Sequence, residues 1–205
     1  MPSVAAICNL ALSHLGTRAT IASLDEASVE ARVCKTHYVP ARDTLLRDFD
    51  WNFARHVVTM AARSETPPDG WSYVYSVPNK CARFRGIWAG PRPTGKPTRW
   101  QLGGIVDTGN NDALAIFANE SPATGVYTRI IENSELFSAG FVTALSWRLA
   151  AQIAYPITTK DSIADNVRKA SMMAVAQAMA DEANEGITET DQAVPDFLSA
   201  RGYTD

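Results

Sequence analysis

The chain is short of the residues that build most metal and redox sites. It has three cysteines, Cys8, Cys34 and Cys81, and three histidines, His14, His37 and His56, among 205 residues. An odd cysteine count at wide spacing gives no disulfide framework. Cys34-x-x-His37 supplies two metal ligands where a structural zinc site needs four. No second Cys/His pair completes it, so a core thiol and a partly exposed histidine are expected there, with no metal and no other cofactor. Reduced thiols and assembly in a host cytoplasm follow from this cysteine usage.

Basic excess is missing as well. Lys and Arg number 19 against 22 acidic residues, a net charge of −3. A dedicated nucleic-acid binder shows a basic patch or stripe. Here Arg83, Arg85, Arg92, Lys96 and Arg99 form only a loose concentration. Arg83 and Arg85, on the strand face opposite Phe84, are expected to coat the wet side of a half-buried sheet. No long apolar run is present either. The most apolar segment, 139–155, is interrupted by Arg148 and falls below the roughly 20 residues of a membrane span. The first 16 residues lack a basic leader and carry helical spacing instead, so no signal peptide and no membrane anchor are expected.

Catalytic patterns are equally sparse. There is no Gly-x-Ser-x-Gly elbow and no motif around any histidine, so no enzyme activity is expected. Gly90-Pro91-Arg92-Pro93-Thr94-Gly95-Lys96 matches seven positions of a phosphate-binding loop. Position eight is Pro97 where a Ser or Thr should hold magnesium, and a strand rather than a helix is expected next. Three prolines also remove amide hydrogens from a loop that works through them. A rigid basic turn is the simpler interpretation. The acidic pair Asp181-Glu182 lies at a helix C-terminus, where the dipole disfavours it, and invites a cation from a neighbouring chain.

What the sequence does have is amphipathic helix. Ala27, Ala31, Cys34, Tyr38, Ala41, Leu45 and Phe49 alternate steps of three and four, laying one apolar stripe along a helix of period 3.6. The stripe ends in the bulky corner Trp51-Asn52-Phe53. Four helices are expected. The first covers 3–15, stopped by Gly16. The second is capped by Asp25 or Ser28 and runs to about Asp48, with Pro40 kinking or splitting it. The third runs from Asn133 or Ser134 to just before Pro156. The fourth, rich in alanine, runs from Thr159 or Asp161 to Gly186. Residues 57–132 change character. Trp71, Tyr73, Tyr75 and Val77 alternate with smaller residues, a period-two strand signal. Further strands are expected near 81–88, 99–102, 113–118 and 125–131, with Gly103-Gly104 and 109–112 as turns. The fold class is therefore α+β, mainly α. A helical body, 1–56 and 133–186, carries a small antiparallel β-rich insert, 57–132, and a polar tail, 187–205. Trp51, Phe53, Trp71 and Tyr75 are expected to form the scaffold packing the insert onto the helices, so Trp51→Ala should unfold the chain.

ICNLALSHLG at 7–16, Ala41-Arg42-x-x-Leu45-Leu46-Arg47, Trp51-Asn52-Phe53-Ala54 and WSYVYSVPNKC at 71–81 occur in that order. This series resembles the head–tail adaptor of short-tailed bacteriophages, the tail tubular protein A family, over about the first 90 residues by motif and the rest by layout. The resemblance implies a structural virion protein at the head–tail junction. It forms a ring, usually of twelve copies, between the portal protein and the tail nozzle protein, and lets DNA pass through the lumen without specific binding. Twelve chains at −3 carry about −36, suited to a conduit that does not grip phosphate. Helices three and four are the expected lateral faces. The helical end and the tail, with Pro195, Phe197 and Tyr203, are assigned to the portal, and Trp88, Arg92, Lys96 and Trp100 to the nozzle side. Two other functions compete: a nucleotide- or nucleic-acid-binding protein acting through Gly90–Lys96, and a DNA-binding head-completion factor.

Overall fold

The structure is a computed structural model that describes residues 2–185. Pro195, Phe197 and Tyr203 lie outside the described residues. The order of elements is α1 (Val4–His14), α2 (Val29–Asp48), β1 (Arg55–Thr59), β2 (Tyr73–Ser76), β3 (Cys81–Ala89), β4 (Trp100–Val106), β5 (Asp112–Ala118), β6 (Ala123–Arg129), α3 (Ala139–Thr158) and α4 (Asp161–Asn184). The α+β layout with the strands inserted between helices two and three is the one the patterning implied. No helix among the described residues is long and apolar enough to cross a membrane.

Each of the first three helices starts on a serine whose hydroxyl accepts a backbone N–H of the first turn. Ser3 takes Ala6, Ser28 takes Ala31 and Ser138 takes Phe141, satisfying donors that have no partner inside the helix. Ser28, not Asp25, is thus the cap of α2. Asp25 instead pairs with Lys35 at 2.7 Å. Proline does not end or divide these helices as expected. α2 runs unbroken through Pro40, held by Tyr38, Ala41 and Leu45, which are buried on either side of it. α3 passes Pro156 and stops two residues later. There Thr159 adopts a left-handed conformation, φ 53°, and its N–H donates to the Tyr155 carbonyl at 2.9 Å. The start of helix three also differs. Asn133 caps only a short 3-10 turn, Ser134–Leu136, and α3 begins at Ala139.

α3 is the hub of the body, packing against α1, α2 and α4, whereas α1 and α2 scarcely touch. Phe141, Leu145, Leu149, Ile153 and their neighbours are buried around most of its circumference. Those side chains are consumed within the chain, while Thr143, Tyr155 and Pro156 of the same helix stay exposed. α4 keeps a long outer face, with Met172 and Met173 exposed, and α2 another, with Val29 and Val39 exposed.

The insert is two three-stranded antiparallel sheets, ordered β1-β6-β3 and β2-β5-β4. Met60, Tyr75, Phe84, Ile87, Ile116 and Tyr127 pack between them. Gly103-Gly104 is not a turn but the middle of β4. A Cβ at Gly103 would lie 2.5 Å from the Phe117 ring, so glycine is required by close approach rather than by a bend. The strand β1 has no counterpart among the expected strands.

Candidate functional site

Two places join distant parts of the chain through buried polar chemistry, and surfaces on the helices and on the insert leave apolar groups bare. The first junction seats the insert on the body. The C-terminal carbonyls of α2 have no acceptor role inside the helix and carry its negative end. Arg85 of β3 turns its guanidinium onto them. Its Nη2 donates to the carbonyls of Arg47, at 3.2 Å, and Phe49, and its Nε donates to Thr128 Oγ1 at 2.8 Å. Asp50 stands 3.8 Å away and also holds Arg55 at 2.8 Å. Arg83 reaches the Arg47 carbonyl at 3.4 Å. Arg85 is therefore a helix cap rather than part of a wet basic face, and Arg99 lies apart from it, stacked over Trp71 at 4.5 Å. Burial lowers the Arg85 pKa, opposed by the Asp50 charge.

The second junction is Glu182, 4% exposed near the end of α4. Its carboxylate accepts the Asn52 backbone N–H at 2.8 Å and the Ser138 hydroxyl at 3.0 Å. Its own carbonyl takes the Asn52 side-chain amide at 3.2 Å. The carboxylate is thus satisfied by neutral donors of the same chain, and no neighbouring cation is required. Asp181 accepts from Gln177 at 2.8 Å.

Between these junctions lies the aromatic corner. Trp51 is fully buried, donates from Nε1 to the Leu45 carbonyl at 2.9 Å and meets Phe141 edge-on at 4.9 Å. Phe53 is half-buried against Phe141 and Phe137. Trp71 and Tyr75 do not share this corner. Tyr75 is buried between the two sheets with its hydroxyl on the Glu120 carbonyl, and Trp71 packs on the outer cluster of Val74, Ala115 and Phe117. The four-residue scaffold is therefore spread over three separate clusters, one in the helical body and two in the insert, with the Arg85 seat joining insert to body.

Of the residues assigned to partner contact, Arg92 and Lys96 are exposed on the loop joining β3 to β4. Trp88 is tied to that loop, Nε1 donating to the Gly95 carbonyl at 3.0 Å. Trp100 turns inward, edge-on to Phe84 at 4.9 Å. Lys96 is followed by Pro97 and Thr98, whose N–H donates to the Ile87 carbonyl at 2.8 Å, and then by β4. No helix opens after this loop, which leaves it without the dipole and amide cradle that hold phosphate.

Among the described residues no three His, Cys, Asp or Glu side chains are grouped to hold a metal. His14 stacks on Trp147 at 3.7 Å, its Nε2 lies 3.1 Å from Ser146 Oγ, and burial lowers its pKa. Cys8 and Cys34 are both buried in the helical core, where the neighbouring thiol and burial push Cys8 up. His37 is half-buried on α2. A groove of about 590 Å³ lies between the end of α2 and the insert, with Arg47, Asp48, Phe84, Trp100, Leu102 and Leu114 in its walls. Leu102 and Leu114 continue the apolar interior beyond the point where the other sheet covers it. They remain 47% and 60% exposed. The Arg85 and Glu182 junctions were not foreseen, because each pairs residues distant in sequence. The one available signal was an acidic residue placed against a helix dipole.

No protein-family model matches the chain, and no curated protein matches it.

Proposed function

We propose that this protein is a structural assembly subunit, a ring-forming head–tail adaptor set between a portal and a tail nozzle, with DNA passing through its lumen. The ordered motif series from residue 7 to 81 supports the family assignment. The observation that carries the assembly role is the distribution of exposed apolar side chains. Met172 and Met173 stand bare on α4, while Leu102, Val106 and Leu114 stand bare on the insert. A contiguous apolar patch left uncovered on a chain marks a contact surface, and a ring subunit needs two unlike surfaces, one for each neighbour. The helical end and the residues after 186 are assigned to the portal, and the Arg92–Lys96 loop to the nozzle. The subunit assembles in the host cytoplasm and works in the virion. Electron microscopy of the purified protein, alone and with its portal protein, tests this assignment.

A further inference from the structure

We propose that neighbouring copies join edge to edge, β4 of one copy pairing antiparallel with β1 of the next. This contact deepens the ring reading and rests on it. Each sheet has one covered and one open edge. The outer edge of β2 is covered by residues 61–63, because Arg63 N–H donates to the Val74 carbonyl and Ser76 N–H to the Ala61 carbonyl. β3 is covered in part by the Ile87–Thr98 bridge. No described residue pairs with the outer edges of β1 or β4. The chain crosses from β1 to the β2 edge on one flank and from β3 to β4 on the other. The two open edges therefore lie on opposite flanks, the arrangement a head-to-tail contact requires.

The register of each open edge can be worked out. Asp107 N–H donates to the Asn111 carbonyl. Hydrogen-bonded pairs alternate along an antiparallel ladder, so Ile105, Gly103 and Gln101 bond inward to β5. Leu102, Gly104 and Val106 present their N–H and C=O groups outward. Met60 N–H donates to the Ala123 carbonyl, which by the same alternation turns Arg55, Val57 and Thr59 outward on β1. Of the antiparallel registers this phase allows, the central one brings Arg55 against Val106, Val57 against Gly104 and Thr59 against Leu102.

The side chains fit that register. Val57, 55% exposed, comes opposite Gly104, where an added Cβ would meet nothing within 4 Å. It would lie beside Leu102 and Leu114, covering apolar surface that nothing in the subunit covers. Arg55, whose guanidinium is held by Asp50 at 2.8 Å, comes next to Val106, whose partner on β5 is the exposed Asp112. β4, Trp-Gln-Leu-Gly-Gly-Ile-Val, carries no charge and no proline. Sheet edges kept apart from other chains usually have one or the other, whereas strand addition works through such an open edge.

The test mixes two single variants, Val57→Cys and Gly104→Cys, with a mild thiol oxidant under conditions where the parent protein forms rings. A disulfide linking the two variants, absent from either alone, is the expected result. A Gly104→Cys homodimer without the mixed product would overturn the proposal in favour of a two-fold β4–β4 contact. Rings with no crosslink would overturn the proposal and leave the adaptor reading standing. If no rings form with or without the portal, both fall. Leu102→Lys, a change at an exposed site, gives a second readout. It should leave the melting temperature of the subunit unchanged and reduce ring yield at least tenfold, and undiminished ring yield would count against the seam.

Discussion

Glu182 accepts the backbone N–H of Asn52 across 130 residues of sequence, closing the end of α4 onto the turn that follows α2. The contact fastens the last helix to the aromatic corner with a carboxylate that is buried yet hydrogen-bonded on both oxygens. Removing it leaves the Asn52 amide and the Ser138 hydroxyl short of a partner inside the fold. An unsatisfied buried polar group costs about 1–3 kcal/mol, more where the acceptor was charged. Because Asn52 is exposed and Ser138 half-buried, water replaces part of what is lost, and Glu182→Ala should lower unfolding free energy by about 1–2 kcal/mol in urea titrations. Glu182→Gln keeps one carbonyl acceptor and should cost less. Equal losses in the two variants would mean that packing, not hydrogen bonding, sets the contribution.

Arg85 ties the insert to the body through carbonyls at the end of α2. The planar fork of a guanidinium reaches several acceptors at once, which an ammonium does not. Arg85→Lys should cost about 1–2 kcal/mol and Arg85→Ala about 2–4 kcal/mol, by analogy with other charge-assisted buried contacts. The loss should be local as well. Amide exchange in β3 and in the last turn of α2 should quicken before exchange in α3 does. Uniform acceleration across all helices would contradict a hinge-like seat.

Trp51 has an apolar role and a polar one. Its ring fills the corner against Phe141, and its indole N–H caps the Leu45 carbonyl. Truncating a buried tryptophan costs about 3–5 kcal/mol, a large part of the stability of an ordinary domain. Trp51→Ala should express mainly as insoluble protein, while Trp71→Ala, altering a half-buried ring in the insert, should remain folded by circular dichroism.

His14 contributes to the pH dependence, alongside His56, whose pKa burial and the Arg129 charge also lower. Burial lowers the His14 pKa from the ordinary 6.5, so folding favours the neutral ring. A base whose folded pKa is depressed contributes stability that is fully present above the unfolded value. That stability is lost as pH falls from about 6.5 through the folded value. The melting temperature of the parent protein should fall between pH 7.5 and 5. His14→Phe keeps a ring against Trp147 and removes the titration, so its decline over that interval should be smaller. Equal declines would place the acid sensitivity elsewhere.

Local patterns made the helices legible. The stripe through Ala31, Cys34, Tyr38, Ala41 and Leu45 is buried as its spacing implied. Two of the first three helices begin at a serine that the sequence marked as a candidate cap or first residue, Ser3 and Ser28. Proline was misleading because its penalty is local, whereas the buried residues flanking Pro40 hold the helix through tertiary packing. β1, Arg-His-Val-Val-Thr, gives no period-two signal in sequence because Val57 and Val58 are adjacent, although its burial does alternate. Gly103-Gly104 carries a turn signal in sequence, yet the space a side chain would need at Gly103 belongs to Phe117. The Arg85 and Glu182 junctions had no pattern to find. Each depends on a charge meeting backbone groups that only the folded chain brings near.

The adaptor reading stands or falls on assembly. Negative-stain microscopy of the purified protein mixed with its portal protein should show a collar of repeating subunits added to one end of the portal. If the protein stays as separate subunits and leaves the portal unchanged across concentration and ionic strength, the adaptor account is contradicted.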